Sequence, residues 1–123
     1  MKKISDSVRR KRIVKKLDDL VSDIVIARDK RCVMCGSTTQ LGNGHLFSRK
    51  HYSLRWDIRE DGNCHCQCWK HNFAHSQSDH VPYDTWYQWK FGIKRFLELH
   101  NEWKSVCKLK TYELEELYEK LKK

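Results

Sequence analysis

The chain has 123 residues, enough for one domain with a modest core, and its 39% apolar and 33% charged residues suit a compact, heavily charged protein rather than a disordered one. Lys and Arg number 25 against 16 Asp and Glu, a formal charge of +9. That excess points to a polyanionic partner, nucleic acid first, because cationic side chains that neutralise phosphates release condensed counterions. No window is apolar enough to span a bilayer, and "MKKISDSVRRKR" lacks the continuous apolar run of a signal peptide, so the expectation is a cytoplasmic protein with no membrane partner. In that compartment, clustered cysteines bind metal more often than they pair as disulfides.

The spacing predicts a helix over residues 4–28, with Ile13, Leu17, Leu20 and Ile24 on one stripe that Val14, Val21 and Val25 widen. Its first turns carry Arg9, Arg10, Lys11, Arg12, Lys15 and Lys16, either a solvated face or an arm that tracks phosphates, with Arg9, Arg10 and Arg12 the candidate nucleic-acid contacts. From Lys30 the helical period disappears and turn residues recur. Two short strands are read at Leu41 to Leu46 and Cys64 to Cys68, separated by a long polar loop, "FSRKHYSLRWDIRED", of the kind that binds rather than merely connects. A helix follows from about Trp69 to Gln77, and Pro82 marks a fresh start. The last third reads as helix, with Trp86, Trp89, Ile93, Phe96, Leu97 and His100 on one face taken as core. Thr111 is read as the cap for a stripe of Leu114, Leu117, Tyr118 and Leu121. The organisation is thus a basic N-terminal helix (1–29), a metal-clipped centre (30–82) and C-terminal helices packed on it (83–123), one α+β domain overall.

Six cysteines are not spread evenly: "CVMCGS" holds two and "NCHCQCWKHN" holds three. Cys32-x2-Cys35 followed by Gly36 is a tight knuckle that brings two thiolates to one ion, and tetrahedral structural zinc needs four ligands. Cys64, Cys66, Cys68 and His71 compete to complete it. Cys68-x2-His71 repeats the spacing of the first knuckle at a strand-to-helix turn, whereas Cys66-x-Cys68 is a less usual geometry. The favoured zinc set is Cys32, Cys35, Cys68 and His71, with Cys64 and Cys66 as packed thiols.

Threaded through this clip are His45 at the end of the first strand, Asn63 before the second and Asn72 after the last zinc ligand. That order resembles the HNH nucleases with a ββα-metal core. The elements "GHLFSR", "LRWD" and "NCHCQCWKHN" are more closely similar to the phage NinG/Rap recombination nucleases, over about residues 32–83. The resemblance implies a DNA endonuclease of a bacterial host cell or its phage, acting on branched DNA such as Holliday junctions. It gives His45 the role of general base, Asn63 that of holding the loop that presents it, and Asn72 that of ligand to a catalytic Mg²⁺ or Mn²⁺. Arg49 and Arg55 fall where the family contacts phosphate, and His65 matches a family position that could line the site. Two departures stand out. Gly44 occupies the position before the base where many HNH enzymes place a metal-binding Asp, with Asn43 the nearest substitute, and His71 stands where the fourth cysteine is usual. His75, on the Asn72 face of its helix, is a further candidate ligand that would tilt the site toward Mn²⁺. Two coordinated cuts would favour a homodimer. The competing expectations are an HNH nuclease for ordinary duplex, and a zinc-stabilised DNA-binding module without catalysis.

Overall fold

The computed structural model describes residues 3–123. Among the described residues, five helices surround a two-stranded sheet, in the order α1 (Asp6–Asp29), β1 (Leu41–His45), β2 (Cys64–Cys68), α2 (Trp69–Ser76), α3 (Val81–Phe91), α4 (Ile93–Lys104) and α5 (Thr111–Lys122). No helix among the described residues is long and apolar enough to cross a membrane.

Ser5 starts α1 by accepting a hydrogen bond from the Val8 N–H on its side-chain oxygen, and Lys30, in the left-handed region at φ 67°, ends it with an N–H to the Ile26 carbonyl. The buried line is Ile13, Leu17, Val21 and Val25, each one turn from the next, while Leu20 and Ile24 are only half-buried. This line packs on Cys64, Cys66, Trp56 and Leu114, so α1 covers one face of the sheet and α5 closes over α1. Fully burying such a side chain stabilises by about 1.5–3 kcal/mol, which makes this aliphatic cluster the main restraint on where α1 sits.

β1 and β2 run antiparallel with Leu41 opposite Cys68, Asn43 opposite Cys66, Gly44 opposite His65 and His45 opposite Cys64. Cross-strand partners share a face. Leu41, Asn43 and His45 therefore lie on the α1 side with the three strand cysteines, and Gly44, His65 and Gln67 face the other way.

That other face is covered by a second, aromatic cluster in which Tyr83, Tyr87 and Leu99 of α3 and α4 meet Leu46 and Leu54. The expected single stripe through the last third holds only in part: Trp86 and Phe96 pack against this cluster, and Trp89, Ile93 and Leu97 do not. Gly92 sits at φ 92°, a conformation that favours glycine, and divides the segment into α3 and α4. Within α3, Tyr83 and Tyr87 are buried while Trp89 falls on the outer side; after the break Leu99 is buried while Ile93 and Leu97 are exposed. Thr111 is not the cap of α5 either. Lys110 precedes the first turn, its N–H donating to the Glu113 carboxylate at 3.0 Å, and the Thr111 hydroxyl is buried without a hydrogen-bond partner.

Candidate metal centre and cleft

The two knuckles meet. Gly36, at φ 78°, donates its N–H to the Cys32 carbonyl at 2.8 Å and turns the chain so that Cys35 comes back beside Cys32. Val33 N–H bonds to the Cys66 carbonyl at 2.9 Å and Trp69 N–H to the Gln40 carbonyl at 2.9 Å, which clamps the first knuckle against the β2–α2 turn carrying Cys68 and His71. The four ligand atoms all lie within 4.8 Å of one another, the one such Cys/His/acid cluster among the described residues. Cys35 Sγ to Cys68 Sγ is 3.8 Å, and His71 Nδ1 lies 3.2 Å from Cys68 Sγ and 3.7 Å from Cys32 Sγ. A tetrahedron with Zn–S bonds of about 2.3 Å has S–S edges of about 3.8 Å. The donor set thus fits a metal ion such as zinc.

Burial pushes the Cys68 thiol up, but hydrogen bonds from the His71 backbone and ring and from the neighbouring thiols outweigh it and bring Cys68 down to about 7, toward the thiolate a metal requires. Cys64 and Cys66 are different. Both are fully buried against α1, and burial drives them up to about 12 and about 11. The Cys64 thiol donates instead to the Arg55 carbonyl at 3.7 Å.

Beside this centre, β1 forms one wall of a cleft of about 580 Å³ whose other walls are α1 and α2. His45 and Asn72 both line it, so the structure brings these two together. His45 Nε2 is 2.9 Å from the Arg55 carbonyl. A carbonyl only accepts, so that nitrogen carries the proton and Nδ1 holds the free lone pair. Burial lowers the His45 pKa, the Arg55 bond opposes this, and the Arg49 charge adds to the lowering, which keeps the ring neutral near pH 7. Asn63, wholly buried, ties down the loop after His45. Its Oδ1 accepts from Phe47 N–H at 2.7 Å, its Nδ2 donates to the Phe47 and Leu54 carbonyls, and its own carbonyl accepts from Leu46 N–H at 2.8 Å.

The structure shows why Gly44 has no side chain. A Cβ there would sit 2.1 Å from Gln67 Oε1, inside the packed face beneath α3. The cleft draws its carboxylates from elsewhere, since Asp18 and Asp19 of α1 both line it. Asp18 is already engaged, accepting from Arg55 at 3.0 and 2.7 Å and from the Trp56 indole at 2.9 Å. Asp19 is held only by an exposed pair with Lys15, of the kind worth little and easily exchanged. Asn43, on the same wall, has a buried Oδ1 without a hydrogen-bond partner. Asp19, Asn43 and Asn72 are therefore the oxygen donors that could hold a divalent ion. Sequence reading missed the two aspartates, because only the packing of α1 across the sheet brings them to His45.

Several expectations change. His65 does not line the cleft. The register turns it to the opposite face, where it is 2% exposed, with Nδ1 2.9 Å from the Tyr83 hydroxyl and Nε2 3.0 Å from the Glu60 carbonyl. Burial lowers its pKa to about 4, so the ring is neutral and its proton sits on Nε2. Tyr83 also donates to the Gly44 carbonyl at 2.7 Å, so Nδ1 and that carbonyl share a single hydroxyl proton. His75 reaches the cleft, but its Nε2 donates to the Leu46 carbonyl at 3.2 Å, and its buried Nδ1 lacks a hydrogen-bond partner. It also borders, with Gln67, a void of about 20 Å³, room for one water. Arg55 is not free for phosphate, because its guanidinium is committed to Asp18 and only 17% exposed. Arg9 is paired with Glu115 of α5, and Arg10 donates to the Leu109 carbonyl at 2.7 Å. Arg12 is exposed, and Arg49 is exposed on the cleft wall. A groove of about 570 Å³ lined by Arg10, Lys11, Lys15 and Arg49 runs along α1 and shares Asp18, Asp19 and Arg49 with the cleft.

Comparison with protein-family models, with curated proteins and with solved structures finds no match to this chain.

Proposed function

We propose that the chain is a metal-dependent DNA endonuclease of the HNH type, with a structural zinc in the Cys32, Cys35, Cys68 and His71 centre and its chemistry in the adjoining cleft. The observation that carries this reading is His45, a neutral histidine fixed in one tautomer, with Nδ1 left as a base in a cleft that Asn72 also lines. Each group then has a role set by its position. His45 Nδ1 takes a proton from the water that attacks a phosphodiester. The Arg55 carbonyl stabilises the imidazolium that results, since its contact is to the other nitrogen. Asn63 keeps the loop from moving while this happens. Lys11, Lys15 and Arg49 guide the phosphate backbone from the α1 groove into the cleft. A divalent ion, Mg²⁺ or Mn²⁺, held by Asp19, Asn43 and Asn72 would stabilise charge on the phosphate and the leaving oxygen. Branched DNA is the proposed substrate, in keeping with the resemblance in "GHLFSR" and "NCHCQCWKHN".

The second reading, a zinc-stabilised DNA-binding module without catalysis, is favoured by Gly44 and by the commitment of Asp18 to Arg55. Incubating zinc-replete protein with a labelled four-way junction and a linear duplex of the same sequence, in Mg²⁺ and in Mn²⁺, separates the two. Metal-dependent cutting, faster on the junction, is expected. Tight binding with no cutting in either metal would establish the module, and equal rates on both DNAs would leave a nuclease for ordinary duplex.

A further inference from the structure

Two large aromatic side chains on α2 stand in solvent beside the cleft. Trp69 and Phe73 are 62% and 50% exposed, lie one helical turn apart, and stack with centroids 5.1 Å apart and planes inclined by 15°. Burial does not explain them, since the core-facing side of α2 is taken by His71 and Ala74. At about 100° per residue, the pair sits roughly a quarter-turn around α2 from Asn72, on the rim of the cleft. Ser76, which lines the cleft, falls between them and Asn72 on the helix surface. The segment "WKHNFAHS" has no acidic side chain, and Lys70 lies next to Trp69. A polyanion approaching Asn72 and Arg49 therefore meets the aromatic faces with no opposing charge from α2.

We infer that Trp69 and Phe73 form a stacking platform for an unpaired nucleobase of DNA whose phosphate lies in the cleft, an inference that rests on the nuclease reading only in placing DNA there. Every base has a π-face, so such a platform binds without regard to sequence. The two rings are already ordered against each other, which lowers the entropy lost when a base extends the stack. In an intact duplex both faces of each base are covered by its neighbours. The platform thus selects DNA with unstacked nucleotides, at a branch point or in a single-stranded arm, and supplies a physical basis for preferring such substrates.

The test is equilibrium binding by fluorescence anisotropy without added divalent ion, so that the read-out does not depend on cleavage. Three labelled DNAs are compared: a fork with a single-stranded arm, the same fork with abasic sites in that arm, and a fully paired duplex. Wild type is expected to bind the fork at least tenfold more tightly than the duplex or the abasic fork. Trp69→Ala and Phe73→Ala should each lose about tenfold on the fork and less than about twofold on the duplex, with Trp69→Phe retaining fork binding. Trp89→Ala, at a 78% exposed site on α3, should change nothing. Trp69 neighbours a metal ligand, so zinc content is measured alongside, and Phe73→Ala carries the test if Trp69→Ala loses metal. Fork binding unchanged in both alanine variants would overturn the inference and assign the pair to another occupant, such as an apolar protein surface. Equal losses on fork and duplex would also overturn it. Base-dependent binding with no cutting by wild type would refute the nuclease reading while leaving the platform in place.

Discussion

The metal centre and the cleft lie on either side of the same turn of α2, yet they are built in opposite ways. The centre takes its four ligands from two short knuckles, each formed locally, and they converge within 4.8 Å. The cleft takes its groups from α1, β1 and α2, and several are committed elsewhere, Asp18 to Arg55 and His75 to the Leu46 carbonyl. A closed structural site is complete once its turns form. An open site depends on long-range packing to bring its parts to one place, and it keeps donors exposed for a ligand.

The sharpest way to separate the two regions is to remove the centre. On the proposed zinc centre, Cys68→Ala should lose metal and the cooperative fold together, because metal binding at a site absent from the unfolded chain is folding free energy. Cys64→Ala should keep its zinc, since Cys64 packs against α1 and lies outside the ligand cluster. Metal analysis with circular dichroism reads both. Zinc retained by Cys68→Ala would dissolve the distinction.

Next in size is the helix that joins the two regions. Leu17 is fully buried one residue before Asp18, so Leu17→Ala should cost about 2–5 kcal/mol in urea unfolding and reduce cleavage as α1 loosens from the sheet. The opposite face of the sheet has its own signature in acid. His65 is held neutral at about 4 against an ordinary value of 6.5. Above 6.5 both states are neutral and its contribution is complete. As pH falls below 6.5 the unfolded chain takes up the proton first, so stability drops until about pH 4, by about 3 kcal/mol in all. His65→Asn should flatten that limb in urea titrations, and a limb of unchanged steepness would remove His65 from the explanation.

A smaller effect tests the wall of the cleft. Asp18→Asn weakens three hydrogen bonds to Arg55 and Trp56 in a partly exposed setting and should cost about 1–3 kcal/mol, with zinc content unchanged. Loss of zinc in this variant would show that the two regions are not independent.

The difference between the regions also decides what could be read from sequence. β2 spans Cys64–Cys68 as the alternation implied, and β1 and α2 end within one residue of the reading, because strand period and knuckle spacing are local signals. The Cys32, Cys35, Cys68 and His71 cluster, which could hold a metal ion such as zinc, was legible for the same reason. His65 was misplaced because the choice of face depends on register, and the register of β2 against β1 is not written in either strand alone. The stripe held for Trp86 and Phe96 but not for Trp89, on the outer side of α3, nor for Ile93 and Leu97, which follow the change of helix phase at Gly92 with φ 92°. Asp18 and Asp19 were invisible as site residues, since they read as ordinary polar positions on an amphipathic helix until α1 is laid across the sheet. Arg55 could be assigned to phosphate only while its partner on α1 was unknown.

The most direct measurement is single-turnover cleavage of a labelled junction in saturating Mn²⁺ by wild type and by His45→Ala, with DNA affinity, zinc content and stability recorded on the same preparations. Loss of the His45 ring should slow cutting by about 10²- to 10⁴-fold, while the affinity for DNA and the zinc content stay as in wild type and the lost bond to the Arg55 carbonyl costs only about 1–3 kcal/mol of stability. Equal cutting by both proteins, or firm binding by wild type with no cutting at all, would contradict the assignment of the cleft as a nuclease site.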